Sequence, residues 1–168
     1  MSQTSHTESA GDIKARIAIV TTSDIRTFET DTNGAKIRQL ATAAGHEVVY
    51  HTIMPNDLDD LLALLLHLQS RTDIDVIITT GGTGISRRDQ TIAVVDKCIT
   101  RPLPGFGELF RLLSFQDIGT AAMLSRASGG LANNKLVFAL PGSPAAVELA
   151  VSKLILPEIG HLLSELRK

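Results

Sequence analysis

Short apolar runs alternate with helix-patterned segments along this chain, and that alternation constrains the fold more than any other feature. Residues 17–20, Ile-Ala-Ile-Val, end in Thr21-Thr22-Ser23-Asp24, as a buried parallel strand and its exit loop do. Residues 48–53, 74–80 and 135–140 are further strand candidates. Between them, residues 32–44 carry apolar Ala35, Ile37, Leu40, Ala41 and Ala44 at helical spacing, with Gly45 as the stop. Residues 57–68 place leucines at 58, 61, 62, 65, 66 and 68 after a Pro55-Asn56-Asp57 start. Residues 91–99, 106–115 and 143–156 also read as helices, with Pro157 as a break before 158–166. Segment 121–128 is ambiguous, a short antiparallel strand being one reading. Near-continuous apolar strands need cover on both faces. The pattern predicts an α/β fold of three layers, α/β/α, around a mainly parallel sheet.

In such a sheet ligands bind beyond the carboxyl ends of the strands. Those ends are Thr22-Ser23-Asp24, Met54-Pro55-Asn56-Asp57, Thr80-Gly81-Gly82-Thr83-Gly84 and Pro141-Gly142-Ser143-Pro144, so they should share one rim. Nine of the 13 glycines fall between Gly81 and Gly142, on or near it.

Composition removes several classes of partner. Lys and Arg number 16 against 18 Asp and Glu, and the two surplus acids, Glu8 and Asp12, lie in the first twelve residues. The balanced remainder offers no global grip on nucleic acid or an anionic membrane, so neither is an expected partner. Aromatics are 4% with no Trp, which argues against a stacking platform for single strands. The lone Cys98, on an apolar helix face with Val94 and Val95, excludes an intramolecular disulfide or a multi-cysteine metal site. Five scattered histidines form no HExxH pair, and no GxSxG elbow occurs. Residues 1–12 read as a disordered polar tail, without the basic start and apolar core of a secretory signal. Residues 13–168 read as one domain. The longest apolar run, 61–66, is far short of a membrane span, so a cytoplasmic location is expected.

The motifs then carry chemistry. Thr80-Gly81-Gly82-Thr83-Gly84 follows a strand, and bare glycine backbone there can aim successive N–H groups into an anion nest, with Thr80 and Thr83 adding hydroxyls. The alternative is a tight structural turn. It is neither a Walker A loop nor a dinucleotide fingerprint. In Ser86-Arg87-Arg88-Asp89-Gln90-Thr91, Asp89 either caps the following helix or holds Mg²⁺ beside a phosphate, and the arginines balance phosphate charge or are simply solvated. In Pro141-Gly142-Ser143-Pro144, Ser143 caps a helix, or the turn is a second anion site. Ser125-Arg126 offers a guanidinium able to take a phosphate bidentately. Phe106, Phe110 and Phe115 read as core or subunit interface.

TTGGTG, RRDQT, PGFGELFR, SRA and LPGSP, in that order, resemble the MoaB/Mog family of molybdenum cofactor biosynthesis, to which the gephyrin G domain is similar. The resemblance runs over about residues 13–163. It implies the molybdopterin-binding fold, assembled as a homotrimer or hexamer. It further implies Mg²⁺-dependent transfer of AMP from ATP to the terminal phosphate of molybdopterin, with release of pyrophosphate. The molybdate-inserting enzyme is then the implied downstream partner.

On this resemblance Asp89 matches the family's acid after the glycine loop, and Thr83, Arg88 and Thr91 keep the adenylylating pattern. Thr80, Gly81, Gly82, Gly84, Ser125, Arg126, Pro141, Gly142 and Ser143 are the remaining candidates for binding substrate or nucleotide phosphate. One position departs: active members carry an acid after the proline at the second strand's end, where this chain has Asn56. Asp57 then either takes over the metal or only caps its helix, and Asn56 can ligate through its carbonyl alone. The alternative function is a MoaB-type protein that binds molybdopterin or scaffolds a partner without catalysis.

Overall fold

The computed structural model describes residues 13–168; the expectation of a tail at 1–12 lies outside them. Six strands form one sheet: β1 (Arg16–Thr22), β2 (Glu47–Met54), β3 (Val76–Thr80), β4 (Arg101–Pro102), β5 (Ser128–Ala132) and β6 (Lys135–Leu140). Their order is β2-β1-β3-β6-β5-β4. The first four in that order are mutually parallel; β5 runs antiparallel to β6, and β4 antiparallel to β5 at the edge. Six α-helices cover it: α1 (Thr32–Ala43), α2 (Leu58–Ser70), α3 (Thr91–Cys98), α4 (Pro104–Ile118), α5 (Pro144–Ala150) and α6 (Leu156–Leu166).

The period of two explains the layers. In β1, Ile17 and Ile19 enter one core with Ile37 of α1, Phe110 of α4 and Val147 of α5, while Ala18 and Val20 enter the other. That second core holds Leu61, Leu65 and Leu68 of α2 and Val94, Val95 and Cys98 of α3. β3 and β6 alternate likewise, Ile78 and Phe138 to the first core, Ile77 and Val137 to the second. The predicted three-layer α/β/α architecture is therefore present, and no helix among the described residues is long and apolar enough to cross a membrane.

Two expectations need correction. Segment 121–128 is not a strand: Gly119, at φ 61°, ends α4 and leads into a 3-10 helix, Gly119–Leu124, and β5 begins only at Ser128. Asn133 and Asn134, at φ 47° and 59°, then turn β5 into β6, since both central positions of such a hairpin need positive φ. Pro157 breaks nothing. A π-helical turn, Val151–Ile155, carries α5 into α6, and Pro157 falls in the first turn of α6, where a missing N–H costs little.

Chain order positions the site. β1 leads through α1 to β2 on one face, and β2 returns through α2 to β3 on the other. The connections diverge between β1 and β3, and a crevice opens at their carboxyl ends.

Candidate functional site

A cleft of about 340 Å³ occupies that crevice. Thr21 and Thr22 line it from the end of β1 and Asp24 and Arg26 from the loop that follows, Asn56 from the loop after β2, Thr80 from the end of β3 with Gly81 and Gly82 beyond it, Gly142 from the turn after β6, and Asn33 from α1. The glycine loop needs its glycines. Gly81 and Gly82 sit at φ 94° and 61°, and a Cβ there would strike the Thr22 carbonyl or the oxygens of Asn56 and Thr91.

The Gly81 N–H donates to the Leu140 carbonyl at 3.1 Å, so it continues the sheet and is not free for an anion. The Gly82, Thr83 and Gly84 amides make no backbone hydrogen bond among the described residues. Thr80 also differs from its expected role: its hydroxyl donates to the Pro141 carbonyl at 3.0 Å, joining two strand ends. Thr91 N–H donates to the Gly82 carbonyl at 2.9 Å, and its hydroxyl lies 3.1 Å from that of Thr22. Thr83 is buried.

α1 starts beneath this loop. The buried Asp31 carboxylate caps it by accepting from the Gly34 N–H at 3.0 Å. It also accepts from the Thr21 hydroxyl at 2.7 Å and contacts His51 Nε2 at 2.9 Å. Burial pushes the Asp31 carboxyl upward, yet the bonds from Gly34, Thr21 and His51 outweigh it and hold the group below the ordinary carboxylate range.

The charged rim is tied together. Asp24 accepts from the Asn56 N–H at 3.0 Å and pairs with Arg88 at 3.1 Å, so it links the ends of β1, β2 and the loop after β3. Arg126 donates to the Gly84 carbonyl at 2.8 Å, which fixes the loop from the far side. Asp89 does not cap α3. Its Oδ2 accepts from the Ser86 N–H and hydroxyl at 3.1 and 2.6 Å, folding the acid back over Gly84. Asp57 caps α2 by accepting from the Asp60 N–H at 3.0 Å. Asn56 Oδ1 is buried without a donor.

The sequence candidates thus divide. Thr80, Gly81, Gly82, Asn56 and Gly142 share the cleft, whereas Ser125, Pro141 and Ser143 line a neighbouring groove of about 270 Å³ with Ile118, Leu124 and Leu149. Ser143 caps α5 by accepting from the Ala146 N–H at 3.3 Å. Thr22, Asp24 and Asn33 were missed as site residues. Thr22 and Asp24 carried a signal, their place at the end of the first apolar run; Asn33, inside an ordinary helical pattern, carried none.

A family model described as a probable molybdopterin binding domain matches residues 18–161. This chain, with its crevice between diverging connections and its glycine loop on β3, belongs to that family of molybdenum cofactor biosynthesis proteins. It is 46% identical to molybdenum cofactor biosynthesis protein B of Bacillus cereus over 169 residues, covering 100% of this chain and 99% of that protein. A crystal structure of a molybdenum cofactor biosynthesis protein B shares 47% identity and superposes with a TM-score of 0.90, over 92% of this chain and 97% of that one. The tungsten cofactor synthesizing protein MoaB from Pyrococcus furiosus shares 34% identity at a TM-score of 0.81, over 92% and 98%.

Proposed function

We propose that this protein adenylylates molybdopterin, transferring AMP from ATP to its terminal phosphate. The observation that carries this reading is the run of unbonded amides at Gly82, Thr83 and Gly84, beside the crevice. Such N–H groups favour phosphate oxygens. Arg88 and Arg126 add local positive charge in a chain whose net charge is only −2.

The chemistry needs no strong base. The nucleophile is a phosphate monoester oxygen, mostly ionised near neutral pH because its second pKa is about 6. It attacks the α-phosphorus of ATP. The bond from that phosphorus to the bridging oxygen breaks, and pyrophosphate leaves with the electron pair. The protein's task is to bring two anions together, which is positioning plus electrostatics. The loop amides bind the phosphates, and the Thr22, Thr80 and Thr91 hydroxyls hold the loop.

Magnesium, when bound, neutralises charge on the phosphates. Asn56 Oδ1, a buried acceptor without a donor, fits an oxygen-seeking cation. Asp89 keeps one oxygen outside its Ser86 turn. No cluster of three His, Cys, Asp or Glu able to hold a metal occurs among the described residues, so ligand phosphates would supply most of the coordination.

We also infer a homo-oligomer, trimer or hexamer, in the cytoplasm, with the molybdate-inserting enzyme as its downstream partner. Leu109, Leu112, Phe115 and Ile118 of α4, each more than half exposed, support self-association.

The test is Asp89→Ala in a purified assay with molybdopterin and Mg-ATP. Adenylylation is expected to fall at least about a hundredfold. A wild-type rate would remove Asp89 from the reaction. A second reading, molybdopterin binding without turnover, is favoured by Asn56 and by an Asp57 already committed to capping α2. It predicts bound pterin with no AMP incorporated.

A further inference from the structure

Asn33 lies in the first turn of α1 and is 1% exposed. Its Nδ2 donates to the Gly142 carbonyl at 2.8 Å and to Thr80 Oγ1 at 3.3 Å. Thr80 leads into the glycine loop after β3, and Gly142 lies in the turn after β6. One amide thus spans two strand ends whose glycines have no side chains to interlock. The Thr80 hydroxyl and the Gly81 amide also cross between these ends, to the Pro141 and Leu140 carbonyls, but at the glycines themselves bare backbone meets: the Cβ position of Gly142 is 3.4 Å from the Cα of Gly81.

The orientation of that amide is determined by chemistry. Turned over, Oδ1 would face the Gly142 carbonyl, acceptor against acceptor. As it stands, Oδ1 is buried and has no donor, while the residue lines the cleft. A buried carbonyl without a partner is costly, and Asn33 carries that cost while its Nδ2 supplies the donor that the Gly142 carbonyl accepts. Asn33 therefore does something that packing does not require. Its own placement is braced from below, because Asp31 caps the same turn while bound to Thr21 and His51.

We propose that Asn33 is a positioning residue for the anion cleft, holding the Gly81–Gly84 loop and the Gly142 turn in register. The inference rests on the proposed function only in taking the cleft as an anion site. Its reporter is the Gly81 amide, bonded to Leu140 across the same two strand ends.

Hydrogen exchange of the Gly81 amide and binding of inorganic pyrophosphate are measured for Asn33→Ala, Asn33→Ser and a control, Asp75→Asn. Asp75 pairs with Arg16 and Arg167 at the opposite end of the strands, so the control lowers stability without touching the loops. Both Asn33 variants are expected to exchange Gly81 at least about tenfold faster than the control and to bind pyrophosphate at least about tenfold more weakly. Gly81 exchange and affinity within about twofold of the control, as a merely structural role would leave them, overturn the proposal. If the wild-type protein binds no pyrophosphate, the anion reading fails, and the exchange ratio alone decides the clamp. If Asn33→Ala does not fold, Asn33→Ser, too short to reach Gly142, carries the test.

Discussion

Gly82→Ala tests the loop most sharply. Gly82 sits at φ 61°, and a non-glycine residue there costs about 1–2 kcal/mol. The added methyl also strikes Asn56 Oδ1 and Thr91 Oγ1. Moving Thr91 breaks its hydroxyl contact with Thr22 at 3.1 Å, worth about 1 kcal/mol more. Together these predict a loss of about 2–3 kcal/mol, or a Tm lower by about 4–12 °C for a chain of this size. Urea unfolding gives the first number, and calorimetric titration with inorganic pyrophosphate gives the functional one, expected to weaken at least about tenfold. Gly84→Ala is the comparison. Gly84 has ordinary φ, and its methyl meets only the carboxylate end of Asp89 at 2.6 Å, which can swing away. A Gly82→Ala protein within about 0.5 kcal/mol of wild type, with unchanged pyrophosphate affinity, would refute the reasoning.

Two further outcomes follow from the rim and the base of the sheet. Asp57→Ser keeps an N-cap oxygen and removes a carboxylate, so stability should stay within about 0.5 kcal/mol and pyrophosphate affinity in the presence of Mg²⁺ should hold; a clear loss of affinity would assign the carboxylate to the metal instead. Burial raises the Asp75 carboxyl, but the bonds and charge of Arg16, with Arg167, lower it further, so its folded pKa lies below the unfolded value of about 3.9. Its stabilisation is then fully present above about pH 4 and lost as pH falls through the folded pKa, and Asp31 behaves alike. Urea midpoints should therefore drop in acid, and Asp75→Asn should flatten that drop; an unchanged acid slope would contradict the assignment.

The layers were legible because parallel strands covered on both faces leave unbroken apolar runs, as in Ile17–Val20 and its neighbours. The glycine loop was legible because its spacing is local. The π-turn before Pro157 was not, since a proline reads alike as a break and as a first-turn residue. The Asn33 bridge joins positions 109 residues apart, and nothing in a helical pattern marks one polar residue as facing a distant strand end. Asp89 and Ser143 show the converse. Each stood where two roles fit, and only the folded contacts separated a cap on α5 from a carboxylate turned onto Ser86.

Turnover at the β1–β3 crevice is open to direct measurement. Wild-type protein incubated with molybdopterin and radiolabelled ATP, with and without Mg²⁺, decides it. Adenylyl-molybdopterin and pyrophosphate are expected in equal amounts, only when Mg²⁺ is present. Molybdopterin bound tightly with no AMP incorporated would contradict turnover and leave the chain a binding protein.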